Sequence, residues 1–147
     1  MAHFAELDSN NTVLRVIKIN NEDIKDPSTG NEVESFGVVV CQQICGEGGT
    51  WKQTSYNHNF RGNYAGLGHT YMSGVRTLGV ASTDIFIEPQ PYASWTIGIE
   101  TARWYPPLPP GENPGLTTAQ VNAGYYYEWN ETKYNANPTT AWDLKQS

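Results

Sequence analysis

From Gly46 to its last residue, the chain nearly loses helix signals and becomes a series of short aromatic runs broken by Gly, Asn and Pro. A backbone interrupted so often cannot hold long helices. Rings flanked by turn residues are the pattern of short β-strands. The apolar content is concentrated in those rings: five Trp, nine Tyr and four Phe, with hydrophobic residues only 38% overall. Aromatic side chains bury large areas at little rotamer cost, so they suit thin sheets and contact surfaces. A loose repeat emerges of strand, turn and strand. One copy runs from Tyr71 to Phe86 around a long Gly/Ser-rich tip. A tighter one runs from Trp95 to Trp104, turning through Gly98 to Ala102. A third runs from Tyr125 to Trp142, with Asn130-Glu131-Thr132 as turn residues after Trp129. Pro89-Gln90-Pro91 and Pro106-Pro107-Leu108-Pro109-Pro110 separate them. The spacing is irregular, so it points to no solenoid or propeller.

The N-terminal part reads differently. His3 to Asp8, the turn Ser9-Asn10-Asn11 and the β-branched Thr12 to Asn20 predict a β-hairpin. Strict alternation puts Val13, Arg15, Ile17 and Ile19 on one face, and Leu14, Val16 and Lys18 on the other. Both faces are mostly apolar near the middle, so this strand is expected to be well buried. Asn21 to Asn31 is a polar loop with Pro27 and Gly30 as breakers. Glu32 to Cys45 has helical spacing and ends where Gly46 fits a helix C-terminus. Val38-Val39-Val40 would also suit a strand, and Gly37 weakens the helix. Trp51 to Tyr56 alternates as a strand. Asn57 to Gly68 is expected to be an ordered irregular loop anchored by Phe60 and Tyr64, because disordered segments are poor in rings. Thr117 to Ala123 suits a single helical turn.

At 147 residues the chain is one domain, or a domain with an appended module. The semi-rigid Pro-rich link suggests a core domain over 1–106 and a link with an aromatic extension over 107–147. Net charge is −6 and no basic block occurs, which argues against nucleic acid as the main partner. No apolar run approaches the roughly 20 residues needed to span a bilayer. The opening Met1 to Glu6 lacks the basic and apolar regions of a secretory signal. Cys41 and Cys45, the only cysteines, would sit one helical turn apart in poor disulfide geometry. Folding in a reducing cytosol is expected.

No constellation signals catalysis. Cys41, Cys45, His58 and His69 are the only conceivable metal set, at a spacing unusual for zinc. Two core thiols and two loop histidines are the simpler reading. Ser55 and His58 lie near in sequence, which carries no triad geometry. Glu6, Asp8, Glu100 and Glu131 could pair as glycosidase carboxylates, as any acidic chain allows. Gly46-Glu47-Gly48-Gly49 lacks the context of a phosphate loop, and Arg61-Gly62 is a turn before it is an anion site. Asn10-Asn11-Thr12 and Asn130-Glu131-Thr132 match glycosylation acceptors but read as turns. No cofactor is implied, and the chain is not read as an enzyme.

The rings Trp95, Trp104, Tyr125, Tyr126, Tyr127, Trp129, Tyr134 and Trp142 crowd the last third. Their plain role is the core of small hairpins, with Trp95 and Trp104 flanking one turn. Adjacent strand residues point to opposite faces, so at least one of Tyr125, Tyr126 and Tyr127 faces away from any single core. Such surplus rings mark protein interfaces or sugar-stacking platforms, and the interface is the favoured reading.

Several sequence blocks carry a resemblance. The opening M-A-H-F-A-E-L-D with V-x-R-V-I follows one pattern, and Trp51 to Tyr71 (WKQTSYNHNFRGNYAGLGHTY) continues it. Pro89 to Trp95 and Trp104-Tyr-Pro-Pro-Leu-Pro-Pro complete it. Together they resemble small proteins of tailed bacteriophages of marine cyanobacteria and related hosts, over residues 1 to 110. The chain departs from that group after Pro110 and in the long tip at Met72 to Asp84. The resemblance implies a virion or virion-assembly context rather than an activity.

The combined expectation is an α+β, mostly β fold: an N-terminal hairpin with one packed helix, then aromatic hairpins. The expected role is a structural protein of a tailed-phage virion, an accessory or decoration subunit on the capsid surface. Its partners would be the major capsid protein, tail proteins or its own copies, with neither nucleic acid nor membrane. A tail-fibre or host-recognition module that binds glycan, and a tail-fibre assembly chaperone, are the alternatives.

Overall fold

The computed structural model describes residues 1–76, 83–108 and 115–147. The fold is α+β and mostly β, with the expected N-terminal hairpin and one main helix. The chain forms two compact units. The first comprises 1–89 with 98–103, and the second 90–97 with 104–147. The second unit thus begins at Gln90, ahead of the Pro-rich link that suggested a boundary at 106.

In the first unit, β1 (Ala2–Leu7) is the central strand, between β2 (Val13–Ile19) and β3 (Thr50–Thr54), all antiparallel. Its alternation serves two cores. Ala2 and Phe4 join Ile19, Ile24, Cys41 and Trp51 on one face. Ala5 and Leu7 join Val13, Ala65, Tyr71 and Phe86 on the other. The expectation for the second strand is corrected here. It is an edge strand, and Leu14, Arg15 and Lys18 are exposed. Nor do its faces follow strict alternation. Glu6 pairs with Arg15 but Leu7 pairs with Val13, so Leu14 is an extra residue in a β-bulge. The bulge flips the register. Val13 enters the core opposite to that of Ile17 and Ile19, and Leu14 is left outside.

A 3₁₀ turn (Asn21–Ile24) drops Ile24 into the first core. Helix α1 (Glu34–Cys45) then packs Cys41, Val38 and Cys45 on that core. It ends at Gly46, whose φ of 105° places it where a side chain would be strained. On the opposite face lies the hairpin β4 (Thr70–Met72) and β5 (Ile85–Ile87), with Tyr71 opposite Phe86. The expected tip between them falls partly on 77–82, outside the described residues.

The loop after β3 is ordered by specific bonds. Ala65 N–H donates to the buried Thr54 hydroxyl at 2.9 Å. Asn63 donates to the carbonyls of Phe86 and Ala102 at 3.0 and 2.7 Å. Arg61 grips Glu34 of α1 with two nitrogens at 2.5 and 2.9 Å, and also donates to the Gln53 carbonyl. Its guanidinium lies 5.6 Å from the Tyr71 ring centroid, and the Tyr71 hydroxyl donates to Asp84.

The tight hairpin β6 (Thr96–Gly98) and β7 (Arg103–Tyr105) straddles the division of the chain. In the second unit, α2 (Thr118–Asn122) opens with a reciprocal cap between Thr117 and Gln120. Strands β8 (Tyr125–Trp129) and β9 (Trp142–Gln146) pair with Trp129 opposite Trp142. The residues read as a turn after Trp129 instead start a helix, α3 (Glu131–Ala136). Asn130 is its N-cap: the side-chain oxygen accepts from Lys133 N–H at 2.9 Å. Turn-favouring and cap-favouring residues are the same residues, for the same side-chain reason.

Candidate functional site

The sequence-predicted rings separate into two groups. Trp129, 4% exposed, stands at the centre of the second unit. Trp95 and Trp142 meet it edge-on at 5.8 and 5.2 Å, and Tyr134 lies at 5.2 Å. Tyr92, which sequence reasoning passed over, completes the cluster against Trp95 and Trp129. The indole N–H groups are partly provided for. Trp129 donates to Glu131 at 3.1 Å and Trp142 to the Leu108 carbonyl at 2.9 Å. The Trp95 N–H is buried without a partner. Trp129 is thus buried among these rings, while Trp95, Tyr134 and Trp142 pack around it half-buried. The other candidates lie further out. Tyr126 is 43% exposed, Tyr125 and Tyr127 flank it half-buried, and Trp104 is half-buried.

The remaining candidates have local duties. The Glu131 carboxylate accepts from the Ser94 hydroxyl and backbone N–H, which holds its pKa below the ordinary value. Glu6 pairs with Arg15, and Asp8 accepts from the Asn10 and Thr12 N–H groups of the first turn. The Ser55 hydroxyl accepts from Asn59 N–H at 2.9 Å, and His58 Nδ1 accepts from Tyr64 N–H at 3.3 Å. Cys41 and Cys45 are free thiols, and burial pushes Cys41 up to about 12. Among the described residues no three potential metal ligands come together, and no helix is long and apolar enough to cross a membrane.

A set of exposed apolar residues on α1 was not among the sequence candidates. Helix α1 buries one stripe and leaves the other apolar. Phe36 is 41% exposed, Val39 51% and Ile44 66%. At 3.6 residues per turn Phe36 and Val39 lie about 60° apart on the outer side of the helix, while Ile44, about 140° from Val39, is exposed in its last turn. Scattered exposed apolar residues need no explanation, but apolar residues grouped on one side of an element are the usual composition of a contact surface. The signal was present in the sequence: Glu34 to Cys45 carries more apolar residues than one buried stripe can use.

The charged groups of the first unit tie its stability to pH. Burial pushes the Glu34 carboxyl up, but hydrogen bonds from Arg61 and Gln53 N–H prevail and hold it below the ordinary 4.5. Asp84 likewise resists burial through Tyr71 and Gly74 and lies below 3.8. His3 is lowered from 6.5 by burial and by Lys18, and His69 by burial against the pull of Glu88. All four folded pKa values lie below the unfolded ones. Each contribution is therefore complete above the unfolded value and is lost as pH falls through the folded one. Urea midpoints of this unit should fall in two stages, the first starting below pH 6.5 and the second below pH 4.5. A midpoint unchanged until the carboxylates titrate would remove the histidines from this account.

No protein-family model matches the chain, and no curated protein or solved structure shows significant similarity to it.

Proposed function

We propose that this protein is a non-enzymatic structural subunit of a tailed-phage virion, an accessory or decoration subunit that seats on the capsid surface. The observation that carries this reading is the set of exposed apolar residues on α1, Phe36, Val39 and Ile44. The resemblance of the blocks in 1 to 110 supplies the context. Hydrophobic burial is non-directional and scales with area, so a modest face repeated on many symmetric copies adheres through avidity rather than through one strong contact. The net charge of −6 keeps free subunits soluble. Ring-mediated adhesion centred on Trp129 has less support, since that ring is buried. Tyr126 is the ring of that set best placed to add contact area.

The test is quantitative mass spectrometry of purified particles, with copies normalised to the major capsid protein. Many copies per particle are expected. Val39→Glu and Ile44→Glu change exposed side chains, so folding stability should stay within about 0.5 kcal/mol. Their incorporation should fall about tenfold or more, because a charge would be buried at the contact. A few copies per particle would move the subunit to the tail. Complete absence would overturn the virion role and favour an assembly chaperone.

A further inference from the structure

A second feature of the first unit concerns a small ligand. At the end of β3 the chain turns at Ser55, and Asn59 N–H and His58 N–H both bond back to that residue, at 2.9 and 3.2 Å. The turn lays the Tyr56 ring over His3, with centroids 5.6 Å apart and planes at 22°. Tyr64 packs edge-on against both rings at 5.3 Å. His3 is on the central strand and only 8% exposed, so the base of this stack is fixed. Tyr56 is 65% exposed and held in one orientation.

Beside the stack is a cleft of about 200 Å³, whose lining residues include Tyr56, Phe60, Glu32, Gln53, Asn57 and Asn59. Gln53 is held from two sides. Its N–H donates to Glu34 and its carbonyl accepts from Arg61, at 2.8 and 2.9 Å. Its side-chain NH₂ donates to Glu32 Oε2 at 3.2 Å, so Gln53 Oε1 and Glu32 Oε1 are the remaining acceptor oxygens of the pair. Carboxamides both donate and accept, and a carboxylate accepts. That is the complement of a set of hydroxyl groups. The electron-rich face of an aromatic ring takes up C–H groups. A pyranose offers both, hydroxyls around its rim and C–H groups on its faces. The lining side chains include Glu32 and neither Lys nor Arg, so a neutral ligand suits the cleft better than an anion. Sites for drug-sized ligands hold about 300–1,000 Å³; this smaller space suits one ring. We infer that the cleft beside Tyr56 and Phe60, with Glu32, Gln53, Asn57 and Asn59 as its polar groups, binds one neutral pyranose residue of a glycan. The inference is independent of the virion reading.

The test uses the full chain, labelled with ¹⁵N and titrated separately with the methyl glycosides of glucose, galactose and N-acetylglucosamine. At least one should give saturable shifts centred on the amides of Gln53, Tyr56, Asn57 and Asn59. A dissociation constant of about 1 mM is expected for a single ring. Tyr56→Ala should weaken binding about tenfold or more. Asn57→Ala, at an exposed side chain, should weaken it with the fold intact even where Tyr56→Ala disturbs the His3 stack. No saturable shift with any of the three glycosides would overturn the inference. So would shifts that persist at full affinity in both variants.

Discussion

Replacing Trp129 by alanine should cost the second unit about 3–5 kcal/mol. A whole domain holds only about 5–15 kcal/mol of net stability, and a small unit sits at the low end of any such range. Trp129 is 4% exposed and touches Trp95, Trp142, Tyr134 and Tyr92. Its loss removes the transfer energy of the largest side chain and leaves a cavity its neighbours cannot fill. Each edge-to-face ring pair adds about 0.5–1.5 kcal/mol beyond area. The indole N–H also helps to orient Glu131, which ties Ser94 to the start of α3. The near-UV circular dichroism of the indoles should collapse, and amide protection across β8 and β9 should be lost. Tyr126→Ala, on the same strand but 43% exposed, should change stability by no more than about 0.5 kcal/mol. If Trp129→Ala retained the near-UV signal and the thermal midpoint, the rings would not be the core, and their candidacy as a contact surface would return.

That contrast shows what could and could not be read from the residues. Local alternation and turn chemistry were enough to find the N-terminal hairpin, helix α1 and the paired strands of the three later copies, but not the helix α3 inside the last. These are contacts between neighbours in sequence. The bulge at Leu14 was hidden because a bulge belongs to a pair of strands, and one strand alone does not show which partner residue it faces. The burial of β2 was overestimated for a related reason. Which strand is central depends on β3 pairing with β1, a contact between distant parts of the sequence. The cleft beside Tyr56 draws on residues 3, 32 and 53–60, so no motif contains it. The ring cluster lay halfway between. Its Trp residues were visible as a concentration, but only Trp129 opposite Trp142 in the β8–β9 register, and Tyr92 from the Pro-flanked link, showed that the rings face one another.

Gly37→Ala should destabilise the first unit, against the direction helix propensity predicts. Alanine in a helix interior is worth about 0.5–1 kcal/mol over glycine, and Gly37 is in the first turns of α1. The sequence therefore presents it as a weak point of the helix. In the fold it is the place where the helix backbone meets the sheet. A Cβ at Gly37 would overlap the Phe4 ring, with two ring atoms at 2.6 and 2.7 Å. Phe4 is 0% exposed on the central strand and packed in the first core, so the ring has nowhere to retreat. Overpacking of a filled core costs about 1–3 kcal/mol and occasionally more. The severity of this overlap places it at the upper end, so the clash outweighs the propensity gain by about 2 kcal/mol. Phe4→Leu alone should also destabilise, by leaving space over Gly37. In the double variant the added methyl would occupy part of that space. The double variant should then be more stable than the sum of the single effects, by about 1 kcal/mol or more in a urea double-mutant cycle. Additive losses would mean that the glycine and the ring do not meet, and that α1 sits on the sheet through Cys41 and the residues packed beside it, Val38, Val40 and Cys45.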